Sequence, residues 1–310
     1  MPCSSKRSPG KDHGSHSQKA LEITSFVRRL NGSCQSSLIT ASDGRKYVLK
    51  FNENPQGPNV LANEAFVTRL ATYLELPVPR CATIHVSDQF IREHRAMWFE
   101  LEERRRRPRG GMHFGSQVPD GPIYELLSGS QLIQVSNVVD FLSMLVFDLW
   151  TQQCDNRQAV FVGNCDTQKL RAVFIDHGHA LAGPKWDQNP RIGICLYSDL
   201  RIYRNIPRSS RNLTIMDNIA EMDLTRLRSL VGGIPKSWSE RSLADKMNEL
   251  VSRKRILKDI VSVELESIGK RLEQYEARKG RFQVEPREQI RVNQLHPGPR
   301  ARRGILLGRC

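Results

Sequence analysis

No apolar run in this 310-residue chain is long enough to cross a bilayer. The longest candidate, Phe141 to Trp150, is too short and is interrupted by Asp148. The N-terminus is polar and lacks an apolar signal segment, so secretion is not expected. Seven cysteines lie at positions 3, 34, 81, 154, 165, 195 and 310, with no CxxC pair among them. An odd, unpatterned set predicts reduced thiols and a cytoplasmic protein, not a disulfide framework. There is no GxGxxG loop and no internal repeat. Acidic charge is also short, with 33 Asp and Glu against 47 Lys and Arg, a net charge of +14.

That excess is unevenly placed. Residues 1–20 carry four basic side chains against one acid, and residues 286–310 carry six arginines against one glutamate. The run Arg104 to Arg109 adds five arginines, which leaves the remainder close to neutral. A basic groove reading nucleic acid through the folded core is therefore disfavoured, although weak contact with nucleic acid or acidic surfaces through the tails is compatible with the pattern.

Residues 1–20 have almost nothing to bury and are predicted to be a disordered basic tail. Strand-like runs follow at Ile23 to Val27, Ser37 to Thr40 and Lys46 to Phe51, the last two joined by a turn at Asp43-Gly44. Leu61 to Leu74 has helical spacing and stops before Pro77 and Pro79. Ala82 to Val86 and Met97 to Leu101 read as further strands, so residues 21–103 form a mostly antiparallel sheet with one helix. From 104 to 281 the character changes. A glycine-rich polar passage to Gly121 leads to a buried helix at Asn137 to Thr151. Two short strands, Ala159 to Val162 and Ala172 to Ile175, precede amphipathic helix over Glu240 to Tyr275. An Arg/Pro-rich tail, 282–310, is predicted disordered. The fold class is α+β.

Four residues in order suggest phosphoryl transfer, which needs charge compensation and alignment more than covalent chemistry. Lys50 stands on a strand with apolar neighbours, and Glu64 follows on the next helix, placed to hold its ammonium. Each alone also reads as an ordinary surface charge. Cys154-Asp155-Asn156-Arg157-Gln158 must be a loop, because a buried helix precedes it and an apolar strand follows. Asp155 there can accept the proton of an attacking hydroxyl; an Asx turn or an ion pair with Arg157 are the alternatives. Asp176 ends an apolar strand before His177-Gly178, where a carboxylate is costly without a partner. A divalent cation bridging phosphates would be that partner. His177 and His179 offer a weaker, transition-metal alternative. Gly32 and Ser33, between two strands, could turn their backbone N–H groups toward phosphate or form a plain hairpin.

With these residues in view, the chain resembles the HipA-like kinases, specifically a bacterial group of unassigned substrate. The resemblance covers roughly residues 21–265. It rests on Tyr47-Val48-Leu49-Lys50-Phe51, Asn54-Pro55-Gln56, Leu61-Ala62-Asn63-Glu64, His113-Phe114-Gly115-Ser116, Phe147-Asp148-Leu149-Trp150, the Asp155 to Phe161 segment and Ile175-Asp176-His177-Gly178-His179. It implies a two-lobed protein-kinase-like fold, with an antiparallel-sheet N-lobe and a mostly helical C-lobe clasping ATP and Mg2+. By the same resemblance Lys50 contacts the phosphates, Glu64 anchors it, Asp155 is the catalytic acid/base and Asp176 the metal-binding aspartate, with adenine near Leu101. The acceptor it implies is a hydroxyl, more often of a protein serine or threonine than of a lipid. One departure stands out. The wider pattern has a metal-binding Asn five residues after the catalytic Asp, and here that position is Val160. Asn156 and Gln158 are the nearest amides, and Gln158 has one extra methylene, about 1.5 Å of added reach. A silent, nucleotide-binding pseudokinase is the alternative.

Overall fold

The computed structural model describes residues 19–101, 104–163, 169–204, 206 and 214–279. The two basic tails lie outside these, save for residues 19 and 20.

Strands β1 (Leu21–Arg29), β2 (Ser37–Ala41) and β3 (Lys46–Lys50) form an antiparallel meander. The β2–β3 turn is local chemistry. Gly44 adopts φ 77°, while the Asp43 carboxylate accepts from the Arg45 N–H at 3.0 Å and the Tyr47 hydroxyl at 2.8 Å. Helix α1 (Val60–Tyr73) then precedes β4 (Cys81–Val86). Next come α2 (Asp88–Glu93) and a two-stranded hairpin of β5 (Phe99–Glu100) and β6 (Arg105–Arg106), followed by β7 (Gly111–Gln117). β7 runs between β3 and β4, and β4 pairs in parallel with β1, closing a barrel in the order β1-β2-β3-β7-β4. Inward-facing Ile39, Tyr47, Leu49, Ile84 and Val86 fill it, with Met97 and Phe99 from the hairpin region.

Two expectations need correction here. The passage from Arg104 to Gly121, assigned to the helical half, contains β7, so the barrel ends near Gln117 and not at 103. Gly115 explains the disguise. A Cβ there would come within 2.7 Å of Ile84, so the crowded barrel wall requires the residue that carries least strand signal. Conversely, Met97 to Leu101 pairs only over Phe99–Glu100, and with β6, outside the barrel.

Beyond the barrel come β8 (Ile123–Tyr124), α3 (Gly129–Leu132), α4 (Asp140–Trp150), β9 (Gln158–Gly163) and β10 (Leu170–Ile175). The last two strands and β8 make a three-stranded antiparallel sheet in the order β10-β9-β8. Helices α5 (Arg201–Arg204), α6 (Thr214–Ala220), α7 (Leu224–Val231), α8 (Leu243–Arg253) and α9 (Leu257–Lys279) complete the described fold. The expected helix over Glu240 to Tyr275 is thus two helices: Ser242 caps the first, its hydroxyl accepting from Ala244 N–H at 3.1 Å, and a break follows at 254–256. One continuous core joins α1, α4, β9, β10 and the later helices, with Phe66, Phe141, Phe147, Trp150, Phe161 and Phe174 fully buried. α1 is buried on nearly every side because it packs on the barrel and on this core at once. The architecture is α+β.

Candidate active site

Lys50 is the last residue of β3. Strand alternation puts Tyr47 and Leu49 inside the barrel and turns Lys50 to the other face, toward α1. There its ammonium pairs with the Glu64 carboxylate and with Asp176 Oδ1, the latter at 2.9 Å. Lys50 is 6% exposed and Glu64 2%. Three elements therefore meet at one nitrogen: β3, the first turns of α1 and the end of β10.

Burial by itself would lower the Lys50 pKa. The Asp176 and Glu64 charges outweigh it and hold the ammonium well above its usual value. Burial likewise would raise the Asp176 pKa, but the Lys50 charge dominates and keeps this carboxyl far below the usual carboxylate range. Burial pushes the Glu64 pKa up against the pull of the lysine. Asp176 sits at φ 64°, a left-handed conformation uncommon for a non-glycine residue. Gly178 is held close to α1. A Cβ at 178 would lie 3.0 Å from Val60 and 3.3 Å from Glu64 Oε1, so a side chain would crowd the ion-pair cluster.

The loop after α4 carries Asp155. It is zipped to the segment after Asp176 by three backbone bonds: Cys154 N–H to His179 O (2.9 Å), Leu181 N–H to Thr151 O (2.7 Å) and Ala182 N–H to Gln152 O (3.2 Å). Asp155 is half-buried, and its Oδ1 accepts from the Asn156 N–H at 2.8 Å. The ion pair of Arg157 is with Asp148 of α4, not with Asp155. Gln158 is exposed with its amide 3.4 Å from Asp176 Oδ2, while Asn156 is exposed. Val160 lies in β9 opposite Val173.

The β1–β2 loop reaches the same place. Gly32 has φ 124° and, like Ser33, is exposed. Ser33 Oγ accepts from the Gln56 amide at 2.7 Å, and the Cys34 thiol meets the other end of that amide. Burial pushes the Cys34 pKa up to about 11, with the Lys50 charge pulling the other way. Leu101 lies on the β5–β6 hairpin. It bonds Arg104 across the β5–β6 turn, and the hairpin faces the loop through Gln35, whose side chain bridges the Glu100 N–H (2.6 Å) and C=O (2.7 Å). β3 lies between β2 and β7, and β7 pairs Phe114 with Lys50 and Gln117 with Tyr47.

Residues unassigned from sequence also build the site. Asn63, fully buried on α1, donates to Gly178 O (2.9 Å), Ala180 O (2.8 Å) and Gly183 O (3.3 Å) and accepts from Trp186 Nε1 (2.7 Å). It ties the helix of Glu64 to the segment after Asp176. His177 is buried edge-on to Phe147, and neither of its nitrogens has a partner among the described residues. Among the described residues no cluster of three or more His, Cys, Asp or Glu could hold a metal, so the transition-metal alternative at His177 and His179 gains nothing. An ionised Asp176 fits Mg2+, which takes one or two carboxylates and completes its shell with phosphate oxygens and water, whereas Gln158 presents its NH2 to Asp176 Oδ2 and would have to turn its carbonyl oxygen there to add a ligand.

A family model for HipA-like kinases matches residues 23–268. The chain belongs to the HipA-like kinase family. Membership places it among kinase-type phosphotransferases. Similar solved structures include a Helicobacter pylori proinflammatory kinase, CtkA, at 11% identity and TM-score 0.42, covering 81% of this chain and 98% of that one. The Golgi casein kinase with Mn/ADP bound is similar at 14% identity and TM-score 0.45, covering 80% of this chain and 72% of that one. No curated protein sequence matches the chain.

Proposed function

We propose that this HipA-like protein is an ATP- and Mg2+-dependent kinase transferring the γ-phosphoryl group to a protein serine or threonine hydroxyl. The barrel with α1 acts as one lobe, the helical part as the other, and nucleotide lies between them. The observation that carries this reading is the buried Lys50 ammonium held between Glu64 and Asp176. In the reaction Lys50 leaves Asp176 for the nucleotide phosphates while Glu64 keeps the ammonium aligned. Asp155 takes the proton of the acceptor hydroxyl as its oxygen bonds to phosphorus and the bond to the ADP oxygen breaks. Asp176, with Gln158 and Asn156 as amide candidates, would hold Mg2+, which offsets phosphate charge when bound. Gly32 and Ser33 cover the phosphates. For adenine, the connector after Gln117 is offered beside Leu101, because β7 runs next to β3 on the side away from β2 and ends there.

A second reading is favoured by Val160. That residue is locked into β9 and offers no ligand, so only Gln158 or Asn156 can complete the metal site. If neither does, the protein binds nucleotide as a switch without turnover. Purified protein with ATP and Mg2+ separates the two. The kinase reading expects ADP release and phosphate incorporation, both lost at least a hundredfold in Asp176→Asn. Metal-dependent nucleotide binding without ADP release would establish the switch instead.

A further inference from the structure

We infer that Arg157 is the positioning residue that sets Asp176 and the Asp155 loop in register for the metal–nucleotide complex. The inference rests on the reading above. Arg157 lies two residues after Asp155 and one before Gln158, yet its side chain turns away from the cleft and is only 2% exposed. Its Nε and Nη2 donate to the two oxygens of the fully buried Asp148, at 2.8 and 2.6 Å. The remaining arm, Nη1, donates to the carbonyls of Ile175 (2.8 Å) and Asp176 (3.1 Å). Its own backbone N–H donates to Leu196 O at 3.2 Å.

One residue thus joins α4, the end of β10, the Asp155 loop and the segment at 196. Only a guanidinium can do this, since its planar fork spans a carboxylate and still leaves donors pointing the other way. An ion pair this deep is a poor device for stability alone, because an apolar pair of similar volume usually does as well. The Nη1 arm is what that explanation omits. It ends on the carbonyl of Asp176, whose backbone is left-handed, and the Gln153 amide adds a longer contact to the same oxygen at 3.5 Å. Without that arm the Asp176 carboxylate loses its fixed aim at Lys50 and Gln158, while Lys50 and the β1–β2 loop stay in place.

The test uses the full chain, Mn2+ and a non-hydrolysable ATP analogue, with Mn2+ binding read by electron paramagnetic resonance. Asp148→Leu with Arg157→Met removes both charges and preserves volume. It should melt within a few degrees of the parent and bind the analogue equally well without metal. Mn2+ affinity in the presence of analogue should fall at least tenfold. A double variant that folds and binds Mn2+ as the parent does overturns the assignment. So does an equal loss of metal-free analogue affinity, which would make Arg157 a general structural prop. If the double variant does not fold, Arg157→Lys decides, since lysine can pair with Asp148 but cannot span to the carbonyls. The same selective tenfold loss supports the role, and unchanged Mn2+ affinity ends it. Absence of metal-dependent analogue binding by the parent overturns the nucleotide reading itself, and this inference with it.

Discussion

An ammonium between a buried carboxylate and a partly exposed one, both ionised, leaves one negative charge in excess, and Lys50 with Glu64 and Asp176 is such a cluster. Nucleotide-bound cation would supply the missing positive charge. Replacing the lysine removes the cation that both acids share. In Lys50→Met the two acids face each other in a buried site and at least one must take up a proton, so its folded pKa rises above its unfolded value. A group shifted that way stabilises the fold below its unfolded pKa and loses that contribution as pH rises. The parent behaves oppositely. Its depressed Asp176 adds stability above the ordinary carboxylate pKa, which is lost only in strong acid. Denaturant melts at pH 5 and pH 8 should therefore diverge. Lys50→Met should lose about 3 to 5 kcal/mol at pH 8, the cost of breaking a buried pair, and distinctly less at pH 5. A pH-independent loss would show that the acids are not left facing each other.

Elements, not residues, decide how the site is held, and α1 is the pivotal one. Asn63 makes it continuous with the segment after Asp176 through three carbonyls and the Trp186 indole. Asn63→Ala would strand those groups in a dry interior, at roughly 1 to 3 kcal/mol for each unpaired group. The expected outcome is a loss of about 3 kcal/mol or more in urea unfolding, with hydrogen exchange quickening at Gly178 to Gly183 ahead of the barrel strands. Exchange that rises evenly across the molecule would deny α1 this special tie. Lys50, Glu64 and Asp176 were legible in the sequence because each sits on, or just past the end of, an element with clear periodicity, so its side of the fold could be inferred. Asn63, Asp148 and Arg157 were not. Their importance comes from partners scattered along the chain and from burial that no local pattern announces. β7 escaped for a related reason: Gly111, His113 and Gly115 carry little strand propensity, and the barrel wall alone makes them a strand.

At the scale of the whole molecule, charge and fold occupy different territory. The described core has its own ion-pair economy. Even its arginine-rich hairpin is largely committed, with Arg106 and Arg109 at Glu53, Arg107 on the α2 carbonyls Ile91 and Arg92, and Arg105 stacked with Arg29 on Trp98. Among the described residues no helix is long and apolar enough to cross a membrane. Much of the net +14 lies in residues 1–20 and 286–310. Binding to polyanions, if it occurs, should therefore belong to the tails and be electrostatic, because released counterions make affinity fall steeply with salt, by about 0.9 logarithmic units per decade for each phosphate neutralised. A chain trimmed to residues 19–281 should keep its melting temperature and its metal-dependent nucleotide affinity. It should also lose duplex binding, with the salt slope collapsing toward zero. A trimmed protein that still bound duplex with a steep salt slope would place a nucleic-acid surface on the barrel or the helices, and the arginine hairpin would be the first place to look for it.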